Sequence, residues 1–387
     1  MFSPTVSEFR CKISEGVAGL LGASWGPDSR QVVTFADLNV HLTFWSLSDQ
    51  STLVVPRPKD PAAALAWTSS VSSTSEGADL VAVATRTGSK DRLEVLHASN
   101  GWTSQASWAP GTLDLAALAW SPDGGALVVQ DTCLRYLVLV YSPRGDLLSK
   151  LSCYENALGV RSLSFAPCCP DVGTSSSGLL LAIASYDQSV RLVNGLTWQV
   201  CAEYAHTHPK LIPPNIQCRE LELFTQANDG SFLAASTADD FPLPTVAVDD
   251  TKLQPKIGVG MASWSHDGRF LATRNDNTPQ AIWVWDVEST GLRAVLVVKQ
   301  AVRAMAWAPQ EHLLTAVAGD ANVTFWSPSE GARSCSVAGF AHLSGVELAA
   351  EGRELAVAGQ LGPSSGSTAA RKYACCVVPR QRAQEFS

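Results

Sequence analysis

The chain has 387 residues, 46% apolar and only 17% charged, which supplies ample material for buried strands and too little charge for a disordered protein. Its 36 acidic residues outnumber 28 basic ones, and a net charge of −8 argues against a general nucleic-acid or membrane-surface binder, because neutralising phosphate needs clustered Lys and Arg. No run approaches the roughly 18 apolar residues of a membrane helix, and the opening MFSPTVSEFRCK lacks the apolar stretch of a signal peptide, so a cytosolic or nuclear protein is expected.

From the N-terminus, an isolated segment at Phe9–Ile13 precedes a repeating pattern. In each repeat an apolar run ends in an aromatic residue, turns tightly, and is followed by a second apolar run. The ends of the first runs fall at Trp25, Trp67, Trp120, Phe165, Trp264, Trp307 and, more weakly, Val346. They are about 40 to 50 residues apart, with one gap of about 100, and a period near 40 predicts an all-β propeller of about seven four-stranded blades. LAALAW (Leu115 to Trp120) and SGLLLAIAS (Ser177 to Ser185) are apolar on both faces, as expected of strands sandwiched between neighbouring blades. SPDG at Ser121 to Gly124, with its relatives GPDS at Gly26 to Ser29 and SHDG at Ser265 to Gly268, supplies Asp and Gly where a tight turn requires them. Third strands are predicted at His41 to Trp45, Tyr136 to Tyr141, Ser189 to Val193, Ala281 to Trp285 and Asn322 to Trp326.

The long gap marks a loop insertion between the fourth and fifth repeats, His206 to Pro255, with a short strand expected at Arg219 to Phe224 and an acidic stretch at Asp239, Asp240, Asp249 and Asp250. The expected organisation is an N-terminal segment at 1–13, blades 1–4 over 14–205, a surface insertion at 206–255, blades 5–7 over 256–380 and a tail at 381–387. The last repeat offers strands near Gly345 to Leu348, Glu354 to Ala358 and Lys372 to Val378 but no fourth. An open end exposes strand edges, so Phe9–Ile13 is expected to supply the ring-closing outer strand of that blade. Gly359 to Thr368 reads as a flexible connector.

Ten cysteines show no CxxC and no Cys/His set with zinc spacing. Cys133, Cys201 and Cys335 lie in or beside apolar runs and are expected as packed thiols, which favours a reducing compartment. No phosphate loop, GxSxG elbow, HExxH or Cys/His nucleophile pattern occurs, so no catalytic residue, cofactor or metal is expected. His206 and His208 read as exposed-loop residues without a third ligand, and His266 and His312 as turn positions. The most distinctive loop is Arg274, Asn275, Asp276 and Asn277, between the second and third strands of the fifth repeat. It is a candidate partner-binding loop on a rigid scaffold; the competing reading has Asn and Asp capping their own turn, with Trp283 and Trp285 as blade packing.

CKISEGVAGLLGASWGPDSR (Cys11 to Arg30), DTCLRYLVLVYSPRGDLLS (Asp131 to Ser149), SYDQSVRLVNGLTW (Ser185 to Trp198) and PKIGVGMASWSHDGRFLATRNDNTPQAIWVWDV (Pro255 to Val287) closely resemble the WD-repeat-containing protein eight family, also named the WD-repeat protein antisense to the p-seventy-three gene. RNDN followed by WVWD is the most specific part. The resemblance runs from about residue 11 to 330, the region past Ser329 matches poorly, and the family carries about two further repeats before the CKI segment. It implies a WD40-type β-propeller serving as a non-enzymatic scaffold at the centrosome or spindle pole. There it would hold microtubule minus ends with a coiled-coil anchoring partner and a minus-end-directed kinesin, with a link to cilium assembly. The alternatives are a substrate-receptor propeller of a ubiquitin ligase, which would need an adaptor-binding element outside the ring, and a scaffold of an RNA-processing complex, which would need a clustered basic face.

Overall fold

The computed structural model describes residues 12–27, 30–60, 65–68, 80–98, 101–167, 179–213, 217–235, 237–239, 241–249, 251, 255–348, 354–361 and 373–379. Most of the Phe9–Ile13 segment, the 381–387 tail and the greater part of the Gly359–Thr368 connector lie outside the described residues. The chain forms two compact units, residues 1–157 and 158–387.

In the first unit, blade 1 comprises β1 (Leu20–Trp25), β2 (Gln31–Ala36), β3 (His41–Ser46) and β4 (Thr52–Pro56). Blade 2 comprises β5 (Leu65–Trp67), β6 (Leu80–Thr87), β7 (Lys90–His97) and β8 (Thr103–Trp108); blade 3 comprises β9 (Ala117–Trp120), β10 (Leu127–Gln130), β11 (Val138–Tyr141) and β12 (Leu147–Leu151). In the second unit, blade 4 is β13 (Val160–Phe165), β14 (Leu180–Ser185), β15 (Ser189–Asn194) and β16 (Val200–Ala205). Two strands follow from the insertion, β17 (Gln217–Gln226) and β18 (Phe232–Ala234). Blade 5 is β19 (Val259–Trp264), β20 (Phe270–Asn275), β21 (Ala281–Asp286) and β22 (Gly291–Val297). Blade 6 is β23 (Val302–Trp307), β24 (Leu314–Ala318), β25 (Asn322–Ser327) and β26 (Gly331–Ser336), and blade 7 shows three strands, β27 (Phe340–Leu348), β28 (Glu354–Leu361) and β29 (Tyr373–Pro379). Each blade is an antiparallel meander, and the fold is a WD40-type β-propeller.

The core lies between blades rather than within them. One apolar cluster joins blades 1 and 2 through Phe44, Val81 and Trp102, and another joins blades 2 and 3 through Leu93, Trp120 and Leu139. In the second unit, successive clusters join blades 4 and 5, 5 and 6, and 6 and 7. This explains why the middle strands are apolar on both faces, while the fourth strands β4, β12 and β16 are largely exposed. Burying each large apolar side chain contributes about 1.5–3 kcal/mol, so the blades hold one another up.

The aromatic residues that end the first strands add a polar stitch. The indole of Trp120 donates to the Ala66 carbonyl of blade 2 (3.1 Å), that of Trp264 to the Ser164 carbonyl of blade 4 (3.1 Å), and that of Trp307 to the Ser263 carbonyl of blade 5 (3.0 Å). In every case the acceptor sits one residue before the corresponding strand end of the preceding blade. The periodicity that marks the repeats is therefore also the spacing of an inter-blade hydrogen bond. Trp25, by contrast, is exposed.

The insertion is more structured than a short strand at Arg219 to Phe224 would suggest. Strand β17 pairs parallel to β22, β18 pairs antiparallel to β17, and the fifth sheet grows to six strands. As a result β22, the fourth strand of its blade, is buried along its whole length, unlike its counterparts.

Candidate functional site

Two blades contain the same three-residue relay built from different chemistry. In blade 5, Trp285 Nε1 donates to Thr273 Oγ1 (3.0 Å), and that hydroxyl lies 2.7 Å from His206 Nε2. His206 Nδ1 is 2.9 Å from the Gln188 carbonyl. A carbonyl only accepts, so Nδ1 carries the proton, Nε2 accepts from Thr273, and the imidazole is neutral. Burial drives its pKa down to about 4 against the opposing backbone contacts at Gln188 and Tyr204. Tyr204 stacks on Trp285 at 4.7 Å between centroids, and the His206 ring meets Trp283 and Trp285 edge-on at 5.3 and 5.4 Å. His206, read from sequence as an exposed-loop residue, is thus a buried clamp between blades 4 and 5. A signal for it was present: His follows the fourth strand of one blade, with Thr and Trp at matching positions of the next blade's second and third strands.

In blade 1 the register equivalents are Thr34 and Trp45, fourth and fifth residues of their strands as Thr273 and Trp285 are of theirs. Trp45 Nε1 donates to Thr34 Oγ1 (2.7 Å), and Thr34 donates in turn to Glu15, a carboxylate where blade 5 has imidazole. Glu15 also accepts from His41 (2.9 Å) and Thr43 (3.3 Å). Burial raises its pKa, but the bonds from Thr34, His41 and Thr43 outweigh that and hold it below the usual carboxylate value.

The RNDN loop braces three consecutive blades. Asp276 accepts from Arg161 of β13 on one oxygen and from Arg274 on the other, and Arg274 donates to the Val302 carbonyl of β23. Asn275 is fully buried; its Nδ2 donates to Gln188 Oε1 (3.0 Å), and its Oδ1 accepts from the Asn277 N–H (3.3 Å). Asn277 Oδ1 accepts from the Gly258 N–H (3.2 Å), and its carbonyl accepts from the Val246 N–H of the insertion (2.8 Å). Gly258 has a φ of 80°, and a Cβ there would collide with the Ser185 carbonyl, so only glycine lets the chain pass. All four residues of the candidate partner-binding loop make bonds within the fold; Asn275 caps its own turn through the Asn277 N–H, Asp276 takes the two arginines, and Trp283 and Trp285 are buried in the cluster of blades 4 and 5.

Outside this brace, the insertion presents surface. Its base is fixed: His208 Nε2 lies 3.0 Å from the Phe241 carbonyl, and Ile212, Leu223 and Phe241 are buried in the cluster of blades 4 and 5. Glu222 of β17 reaches blade 6, accepting from Trp326 Nε1 (3.2 Å), and also takes Arg293 (2.9 Å). Trp326 occupies the relay position of its blade, where Ala316 stands in place of threonine, so the insertion supplies the acceptor that the blade lacks. Leu211, Leu233 and Val246 remain exposed, as do Asp239 and Asp249.

Among the described cysteines, Cys335 is packed as expected and its thiol pKa is raised by burial, Cys133 is half-buried, and Cys201 is exposed on the outer strand β16. The turn reading of SPDG and SHDG is met in detail. Ser121 Oγ donates to Asp123 Oδ1 (2.5 Å) and accepts from the Ala126 N–H (2.9 Å); Ser265 Oγ donates to Asp267 Oδ1 (2.7 Å) and accepts from the Phe270 N–H (2.9 Å).

No protein-family model matches the chain. It is 33% identical over 368 residues to WD repeat-containing protein WRAP73 of Mus musculus, an alignment covering 88% of this chain and 76% of the mouse protein. It is 22% identical over 298 residues to an uncharacterised WD repeat-containing protein of Schizosaccharomyces pombe, covering 75% of this chain and 56% of the yeast one. The repeats, the four-stranded blades and this extent of identity agree, and the chain belongs to the WRAP73 family of WD-repeat proteins, protein-interaction scaffolds built on a propeller fold.

Proposed function

We propose that the chain is a non-enzymatic scaffold of the centrosome or spindle pole. In this reading it holds a coiled-coil anchoring protein on its insertion and meets a minus-end-directed kinesin through a second surface, so anchoring microtubule minus ends and serving cilium assembly where cilia are built. Family membership supports the class of activity, and the insertion carries the choice of surface. A strand integrated into a blade fixes its base, while Leu211, Leu233 and Val246 face solvent in a segment that also carries exposed Asp239 and Asp249. An amphipathic helix with an apolar stripe and flanking Lys or Arg matches that chemistry. The Arg274–Asn277 loop supports the surface from beneath, through the bond from Val246 to the Asn277 carbonyl. Affinity purification of the tagged chain from dividing cells, with imaging of the tag, tests this. A centrosomal coiled-coil protein and a minus-end-directed kinesin should copurify and the tag should mark spindle poles; cullin adaptors or RNA-particle subunits in their place would refute it.

A further inference from the structure

The turn between the first two strands of blade 5 differs from its equivalent in blade 3 at one chemically telling position. Both turns close through the same serine and aspartate bonds, and the N–H of the glycine bonds the serine carbonyl at 2.9 Å in blade 3 and 3.0 Å in blade 5. Blade 3 has Pro122 where blade 5 has His266. The turn does not need the imidazole. Across from it, in the matching turn of blade 6, stands His312, whose ring lies 5.1 Å from that of His266 and whose Nε2 is 2.7 Å from Asp267 Oδ2. One ligand atom from each of His266, Asp267 and His312 falls within 4.8 Å of the others, and all three residues are half-buried.

We propose that His266, Asp267 and His312 form a binding site for a transition-metal dication of the zinc class, joining the turns of blades 5 and 6. Two imidazoles and one carboxylate are a donor set that suits zinc, nickel or copper(II) and not calcium or magnesium. Zinc holds such ligands at about 2.0–2.2 Å, which sets them roughly 3.3 Å apart, so the side chains need only small rotations to close on an ion. For the ion to take His312 Nε2, the proton that links this nitrogen to Asp267 must give way, the ring binding as neutral imidazole with its proton on Nδ1. The carboxylate is already oriented for this: Oδ1 is occupied by Ser265 Oγ and by the Arg269 N–H (3.1 Å), which leaves Oδ2 to face the histidines. Phe270 walls the site, its ring 5.0 Å from that of His312. A cleft of about 440 Å³ lies against His312, lined also by Glu311, Ser327, Ser329 and Glu330.

The test is zinc titration of the full chain by calorimetry, with cobalt(II) spectra to identify the donors. Wild type should take up one equivalent, and the cobalt spectrum should lack a thiolate charge-transfer band. His266→Pro, which copies the blade 3 turn, should keep the metal-free melting temperature and weaken binding at least tenfold. His312→Gln, which retains a hydrogen-bonding group toward Asp267, should show the same loss and serves as the second variant if the proline is not tolerated. Replacing the exposed pair Cys375 and Cys376 with serine should leave the equivalent in place. No uptake by wild type, uptake that survives both histidine substitutions, or a thiolate band would overturn the assignment.

Discussion

Blades 1 and 5 use the same threonine and tryptophan at the same register but finish the relay differently, one with Glu15 and the other with His206. The reason lies one strand away. At the positions of the third-strand residues His41 and Thr43, which hydrogen-bond Glu15 in blade 1, blade 5 has Ala281 and Trp283. A carboxylate needs those partners, whereas a neutral imidazole needs only a carbonyl on one side and a hydroxyl on the other. The repeat therefore dictates that something must accept from the threonine, and the neighbouring side chains decide whether it carries charge.

The largest effect should come from exchanging the two solutions. His206→Glu would bury a carboxylate beside Trp283 without the histidine and threonine partners that Glu15 has, at an expected cost of about 3–5 kcal/mol, measured by chemical denaturation. A stability near that of wild type would show that the partners of Glu15 are incidental.

Next is Thr273→Val, which removes the hydroxyl between His206 and Trp285 and strands two fully buried groups. A loss of about 2–3 kcal/mol is expected. Thr34→Val should cost less, about 1 kcal/mol, because Glu15 keeps His41 and Thr43. Equal losses in the two variants would break the comparison.

Acid should separate the blades without any substitution. His206 has its pKa lowered to about 4 in the folded chain, so the unfolded chain binds the additional proton first. Its contribution is fully present above about pH 6.5 and is lost as pH falls toward 4, on the order of 3 kcal/mol in all. Glu15, also lowered, loses its contribution only further down, as pH falls through the carboxylate range. Hydrogen exchange should show protection around β20 and β21 declining before that around β2 and β3; the reverse order would contradict the neutral-imidazole assignment.

The smallest effect is expected for Glu222→Gln. It weakens the charge-assisted bonds to Arg293 and Trp326 but retains an acceptor, and should cost about 1 kcal/mol, with the loss centred on β17.

The repeats, the tight turns and the five third strands were legible because each depends on residues close in sequence, such as Ser121 and Asp123. The indole stitches and the relays were not, since Trp264 meets Ser164 and His206 meets Thr273 only after two blades pack. The insertion misled in a different way. Its composition resembles a surface loop, yet β17 finds an open edge at β22, and Glu222 answers a tryptophan more than one hundred residues later in the chain. The RNDN loop reads in sequence as a candidate partner-binding loop or a self-capped turn; the bonds it makes to three blades depend on arginines and backbone groups far away in the chain.

The central functional claim is that the insertion holds the coiled-coil partner while the blades merely carry it. The direct measurement is copurification from dividing cells with the triple variant Leu211→Asp, Leu233→Asp and Val246→Asp alongside wild type, all three side chains being exposed. The variant should melt with wild type and lose the coiled-coil protein. Retention of that partner by a folded triple variant would contradict it.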